Sequence, residues 1–548
     1  MKSIKDLHEP FNDAHNYRNR AEKQFFNKVF LRTSDLDDLL KSSVYFLMGE
    51  KGSGKTAYAV YMENNGYRDS VSQVTTVTET QYNKFIQLKK QGHLNYTDYA
   101  SIWRAILLFV TSQMILTKSK GFFSSFTNKY KKIEKSLANW TQNSLNPEME
   151  IAFDVILREA VKASAGVTGV GKAEASAGSE RSERSTQIRH NLLNCEREFR
   201  EALESLRLSK NHILFIDGID YRPESINYRE YIECIKGLGE AIWQLNSDFF
   251  GSIRDSPGRI KVVLLVRPDV FHALNLYNSN SRFQDNTVFL NWSTSEYEFS
   301  SSPLFDVGGR YFSSQQKDQV SPRDAWQHYY ESNGKDSPVF KKLLRQTFQK
   351  PRDYLTFVKI TRKRAITHQQ GHLSQFPADC ASNPSFTKEF ADYLLGEARN
   401  YAAFYMTQED FYKYIKFFQF LDGKKEFDYA GFSDAFVRFR KWSNGEKFDA
   451  TEYLRDADSL LQLFFDMNVI GYYETSEDQK DRFVHWSYRE RSLNNISPKV
   501  KADAKLMLNS GIMKALDIGT SLKDSATRDG SVRKANFKGP RGRRRRRD

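Results

Sequence analysis

The sequence predicts an α/β fold built on a parallel sheet, and three observations carry that expectation. Short continuous apolar runs recur at Val44–Met48, Ile213–Ile216, Val262–Val266 and Val288–Leu290. Long helical stretches separate them, as in strands buried on both faces and joined by crossover helices. A glycine-rich turn directly follows the first run. The chain has 548 residues, 39% of them hydrophobic and 27% charged, with 41 Phe and 28 Tyr. That length and composition imply two to four domains with sizeable cores, not a disordered or fibrous chain.

Taken in order, residues 1–40 read as a polar helical lead-in that ends in the amphipathic stretch Ser34–Leu40. Ser34 with Asp37 three residues on is the expected helix cap. An α/β core is expected over 41–300. Within it, TAYAVYMENN forms a helix after the glycine-rich turn, and 70–78 (SVSQVTTVT) is β-branched enough for a second strand. Helices follow over about 98–163. Residues 163–185 form an Ala/Gly/Ser insert, either a flexible loop or a small hairpin, and Asn191–Leu208 is the next helix. Beyond 300 the strand signal fades: 301–395 reads as a helical lid and 396–515 as a helical and mixed domain. The last segment, 516–548, reads as a disordered basic tail.

Three classes are set aside. The N-terminus MKSIKDLHEPFNDAHNYRNR has no apolar centre, so no secretory signal is expected. The longest apolar stretch, Ala105–Val110 with Ile115 and Leu116, is broken by Thr111, Ser112 and Gln113 and is expected to be too short to span a bilayer. Cys195, Cys234 and Cys380 lie far apart, against both a disulfide framework and a zinc site. A cytoplasmic location is the expectation. Net charge is +14, yet residues 533–548 alone hold nine Lys/Arg and one Asp, leaving +6 for the rest. The arginines Arg541 and Arg543–Arg547 make nucleic acid the expected partner of the tail, bound through phosphates without base readout.

The strongest motif is GEKGSGKT, Gly49–Thr56, which matches G-x-x-x-x-G-K-[ST] at every fixed position. Gly49, Glu50, Lys51, Gly52, Ser53 and Gly54 would wrap backbone N–H groups around a phosphate, and the helix opening at Lys55, Thr56 and Ala57 adds its positive end. Lys55 would reach the β- and γ-phosphates, and Thr56 would place its hydroxyl on Mg²⁺. HILFIDGID supplies a strand ending in Asp217, the expected second metal ligand, with Gly218 after it and Asp220 three residues on. Asp220 is either an acid that orients water or a turn residue before Pro223. KVVLLVRPDVF ends in Arg267, which either faces the γ-phosphate or pairs with Asp269. Arg352, just after the helix-starting Pro351, either reaches the nucleotide or pairs locally. No guanine-reading NKxD segment is present, so ATP is expected over GTP.

GEKGSGKTA, DGID, VRPDV, LNW and KPRD, in this order, resemble the AAA+/STAND branch of bacterial P-loop ATPases, of the kind found in mobile elements and defence islands. The likeness spans about residues 15–490. It implies a P-loop NTPase sheet with a helical lid, ATP and Mg²⁺ as cofactors, Asp217 on the metal, Asp220 activating water and Arg267 on the γ-phosphate. Tyr221 stands where many members carry a further acid, so turnover is expected to be slow. ATEYLRDADSLLQLFFDMNVIGYYE followed by DRFVHWSYRE outlines a winged helix: an apolar-faced helix, then Val469–Tyr473 and Phe483–Tyr488 around a polar tip. The implied function is a nucleotide-gated switch or homo-oligomer acting in antiphage defence with an effector protein. Two alternatives remain open: a DNA-binding AAA+ ATPase resembling initiators or transposition loaders, and an ATP-binding scaffold with little turnover.

Overall fold

The four apolar runs become strands of one sheet, and the β-branched segment joins them as a fifth. β1 (Phe46–Gly49), β2 (Val71–Thr76), β3 (His212–Asp217), β4 (Ile260–Val266) and β5 (Thr287–Leu290) pair in the order β2-β3-β4-β1-β5. Every pairing is parallel, with Phe46 opposite both Leu264 and Thr287. β4 is buried along its whole length, as its apolar run Val262–Val266 requires, and its one charged residue, Lys261, donates from Nζ to the Leu39 and Lys41 carbonyls. The structure is a computed structural model that describes residues 1–79, 82–83, 86, 99–119, 128–140, 193–276, 279–330, 339–478, 481–516 and 518. The insert 163–185 and the basic tail with Arg541–Arg547 lie outside the described residues.

The strand order places the site. The chain leaves β1 toward β2 on one side of the sheet, whereas it leaves the neighbouring β4 toward β5 on the other. Right-handed crossovers put these two connections on opposite faces of the sheet, which makes the carboxyl ends of β1 and β4 the topological switch point of the fold. The loop after β1 runs into the helix Lys55–Asn65.

The described residues pack as two units: Met1–Phe386 with Ala403–Tyr405 and Tyr488–Pro498, and Thr387–Ala402 with Met406–Ser487 and Lys499–Asp548. The expected lead-in and core, and the lid as far as Phe386, fall in the first unit, whereas Thr387 onward of the segment drawn as lid falls in the second. The lid region is helical as expected, with helices Pro303–Ser313, Pro322–Tyr330, Val339–Gln346 and Pro351–Thr367. Pro351 does occupy the first turn of its helix. In the second unit, helix Ala457–Asp466 is capped by Asp456, whose Oδ1 accepts from the Ser459 N–H at 2.7 Å. It leads into the antiparallel pair β7 (Ile470–Thr475) and β8 (Arg482–His485). Two further strands, β6 (Glu426–Phe427) and β9 (Lys505–Leu508), complete a sheet of order β6-β9-β7-β8. Neither was legible in the sequence: two and four residues are too few to show alternation.

Two local expectations are corrected. Ser34 has helical dihedrals and makes no side-chain cap; the neighbouring Thr33 Oγ1 instead donates to the Asp35 carboxylate at 2.8 Å. The apolar stretch expected to be too short for a bilayer belongs to the 21-residue helix Tyr99–Ser119, which by length and composition alone is able to cross one. The helix runs straight through Thr111 and Ser112, both fully buried, because here it is a core helix packed against Tyr228–Gln244.

Candidate functional site

The loop after β1 owes its path to two glycines. Gly52 and Gly54 have φ of +87° and +99°, a region that side chains rarely enter, and Gly54 directly precedes the helix that starts at Lys55. A side chain at Gly52 would also press on Arg352, whose Cβ would lie 3.2 Å away. Gly49 is closed in by Ser53 and Leu290. Along the helix, Ala57 faces the same cavity as the loop.

Lys55 is nearly enclosed, and its Nζ donates to the Gly49 carbonyl at 2.8 Å and the Glu50 carbonyl at 3.3 Å. It also lies 3.2 Å from Asp220 Oδ2. Thr56 Oγ1 donates to Asp217 Oδ2 at 2.6 Å. The start of the helix after β1 and the end of β3 are thus joined. Ser53 Oγ is buried and finds no hydrogen-bond partner among the described residues, although burying an unpaired hydroxyl is costly. Lys51 lines the cavity beside it, whereas Glu50 points elsewhere and pairs with Arg491.

Asp217 sits at the centre. Burial pushes its carboxyl up, but His15, Thr56, the Gly218 N–H and Lys55 together outweigh burial and hold it below the ordinary carboxylate range. Gly218 N–H donates to Oδ1 at 2.7 Å, and His15 Nε2 stands 3.6 Å from Oδ2. The Asp217 carboxylate in turn raises the His15 imidazole above its usual value. Asp220 is engaged at both oxygens: one faces Lys55 and the other accepts the Arg267 backbone N–H at 3.1 Å.

The two arginines divide. Arg352 lies over the loop, with its N–H 3.4 Å from the Gly52 carbonyl, and lines the cavity. Arg267 is fully buried and grips Asp269 through two bonds, at 3.0 and 2.5 Å. Tyr405 also donates to Asp269, at 2.6 Å, and the Phe404 ring lies beneath the guanidinium. Of the two readings of Arg267, pairing with Asp269 is the one the geometry displays.

The cavity holds about 310 Å³, within the range of small-molecule sites. Its lining includes polar residues of the set just described, among them Lys55, Thr56, Asp217 and Asp220, together with the apolar Phe11, Tyr17, Phe26, Phe30, Val307 and Tyr311. Four of these six come from the segment read as a polar lead-in, so its function was missed. The signal was present, since five aromatics fall within residues 11–30. Trp292, of the LNW string, closes the floor: its indole N–H donates to the Ser53 carbonyl at 2.8 Å and so braces the loop from the end of β5.

Thr56 Oγ1 and Asp217 Oδ2 offer a hard cation two oxygen ligands side by side, as Mg²⁺ uses when waters and substrate phosphates complete its shell. No cluster of three or more His, Cys, Asp or Glu side chains is gathered for a metal among the described residues. Comparison with protein-family models, curated proteins and solved structures found no match to the chain.

Proposed function

We propose that the chain binds ATP with Mg²⁺ at the loop Gly49–Thr56 and hydrolyses it slowly, as a P-loop regulatory ATPase of the AAA+/STAND type. One observation carries this reading. Lys55 and Thr56 meet Asp220 and Asp217, more than 160 positions away, at 3.2 and 2.6 Å within a single cavity. That cavity brings the cationic loop, suited to phosphates, together with aromatic side chains suited to a flat base. Bound Mg²⁺ would neutralise charge on the β- and γ-phosphates. The chain's own groups would do the rest: Lys55 and the loop hold the phosphates, Arg352 covers them, and Asp220 orients water. The helix and hairpin of the second unit are read as a winged-helix-like module through which nucleotide state is passed on.

Titration of a fluorescent ATP analogue, with Mg²⁺ or with EDTA, tests the reading. Mg²⁺-dependent binding that unlabelled ATP displaces is the expected result; no binding in either condition rejects it. The two acids separate in the same assay. Asp217→Asn should abolish the Mg²⁺ dependence of binding. Asp220→Asn should retain Mg²⁺-dependent binding and lower turnover about a hundredfold, the scale of a lost group that orients or deprotonates water. Parent-like turnover in Asp220→Asn would leave that acid a purely structural partner of Lys55 and Arg267.

A further inference from the structure

The segment Tyr488–Pro498 follows directly on the hairpin of the second unit yet packs within the first. Leu493 and Ile496 lie against the main core, and Asn494 accepts from Gln284 at 3.3 Å. Its one buried cation is Arg491, 2% exposed, whose Nη1 lies 2.6 Å from Glu50 Oε1. Glu50 follows β1 immediately, inside the loop assigned to phosphate binding, but does not line the cavity. It therefore places a carboxylate behind a loop whose task is to hold polyanions. In a low-dielectric interior, an uncompensated negative charge so near a triphosphate would oppose binding strongly.

We infer that Arg491 is a positioning residue for the phosphate loop: it cancels the charge of Glu50 and anchors the loop's first turn. Its charge also reaches Asp269, helping to hold that carboxyl ionised at the end of β4. Arg491 thus serves the acids at the carboxyl ends of both strands of the switch point. The residue that makes the loop electrostatically fit for phosphate comes from 441 positions downstream, one short helix beyond the hairpin. Nucleotide affinity then depends on how this segment is seated. The inference rests on the ATP reading of the same loop.

The full-length chain is titrated with a fluorescent ATP analogue and Mg²⁺, as parent, Arg491→Gln, Glu50→Gln and the double variant, with thermal melting alongside. Arg491→Gln should weaken binding by about tenfold or more, as an unmasked charge near a polyanion requires. In the Glu50→Gln background the same substitution should cost less than about threefold, because the loop then carries no carboxylate of its own and only the more distant Asp269 loses the charge of Arg491. Equal losses in both backgrounds, or no loss in either, would overturn the inference. Should Arg491→Gln fail to fold, Arg491→Lys decides: the retained charge should keep affinity within about threefold, and a tenfold loss overturns the inference. Failure of the parent itself to bind would instead reject the ATP reading, and the first titration shows that separately.

Discussion

Lys55→Ala is expected to lower ATP turnover by about a thousandfold, the upper scale for removing one preorganised group from developing charge. The reason lies in where the ammonium sits. Lys55 is 6% exposed, so its charge acts on a phosphate with little screening by water. It is also the first residue of the helix Lys55–Asn65, so the charge adds to the positive end of the helix dipole. Alanine is a good helix former and the neighbouring Gly49 and Glu50 carbonyls can accept from water, so the fold should survive. Asp220 keeps the Arg267 N–H as a partner after the substitution. The check is steady-state phosphate release beside a melting curve. Parent-like turnover from a folded variant would mean the loop does not hold the reacting phosphate.

Asp269→Asn should destabilise the first unit by about 3–5 kcal/mol, the usual loss when one partner of a buried ion pair is removed. Arg267 is fully buried and Asp269 nearly so, and the two share a two-pronged contact that Tyr405 reinforces. Burial pushes the Asp269 carboxyl up, but the Arg267 guanidinium overrides it and holds the group far below the ordinary range. Burial likewise opposes the charge on Arg267, and Asp269 more than restores it. Removing the carboxylate takes away the guanidinium's two-pronged partner and leaves Asp220 to act on its charge without that contact. Because the folded pKa of Asp269 is depressed, its stabilising contribution is present above the unfolded value of about 3.9 and fades only as pH falls well below it. Denaturant titration of the full chain, following the transition of the first unit, measures the loss. An unshifted transition would show that the pair contributes nothing net. Replacing both residues together, Arg267→Met with Asp269→Leu, should recover most of the stability, since well-packed apolar pairs often match buried ion pairs.

The core strands, the phosphate-type loop and the helix starting at Pro351 were legible because each depends on residues close in sequence. An apolar run of four or five residues has few ways to be buried, and Gly52 and Gly54 mark where the backbone must turn through positive φ. The acid at the end of β3 was legible for the same reason: a buried strand ends where polarity returns. Arg267 shows the limit. Its partner Asp269 stands two residues away in plain view, yet sequence alone offered two uses for the guanidinium, and only burial by Phe404 and Tyr405 selected one.

The remaining features rest on pairings over long separations, which leave no periodic trace. Phe11, Tyr17, Phe26 and Phe30 read as a polar lead-in because charged residues surround them, but the fold brings these rings into the lining of the cavity. Strands of two and four residues, Glu426–Phe427 and Lys505–Leu508, exist only because a neighbouring strand supplies their hydrogen bonds. Arg491 carries no local sign of its role; Glu50 and a tightly packed segment 441 positions downstream create it. Sequence by itself determined the five strands of the parallel sheet and the glycine-bent loop after the first of them, since those follow from backbone freedom and short-range polarity. Tertiary structure decided which charges face one another, because an ion's partner is chosen by what burial excludes, and burial is a property of the whole fold.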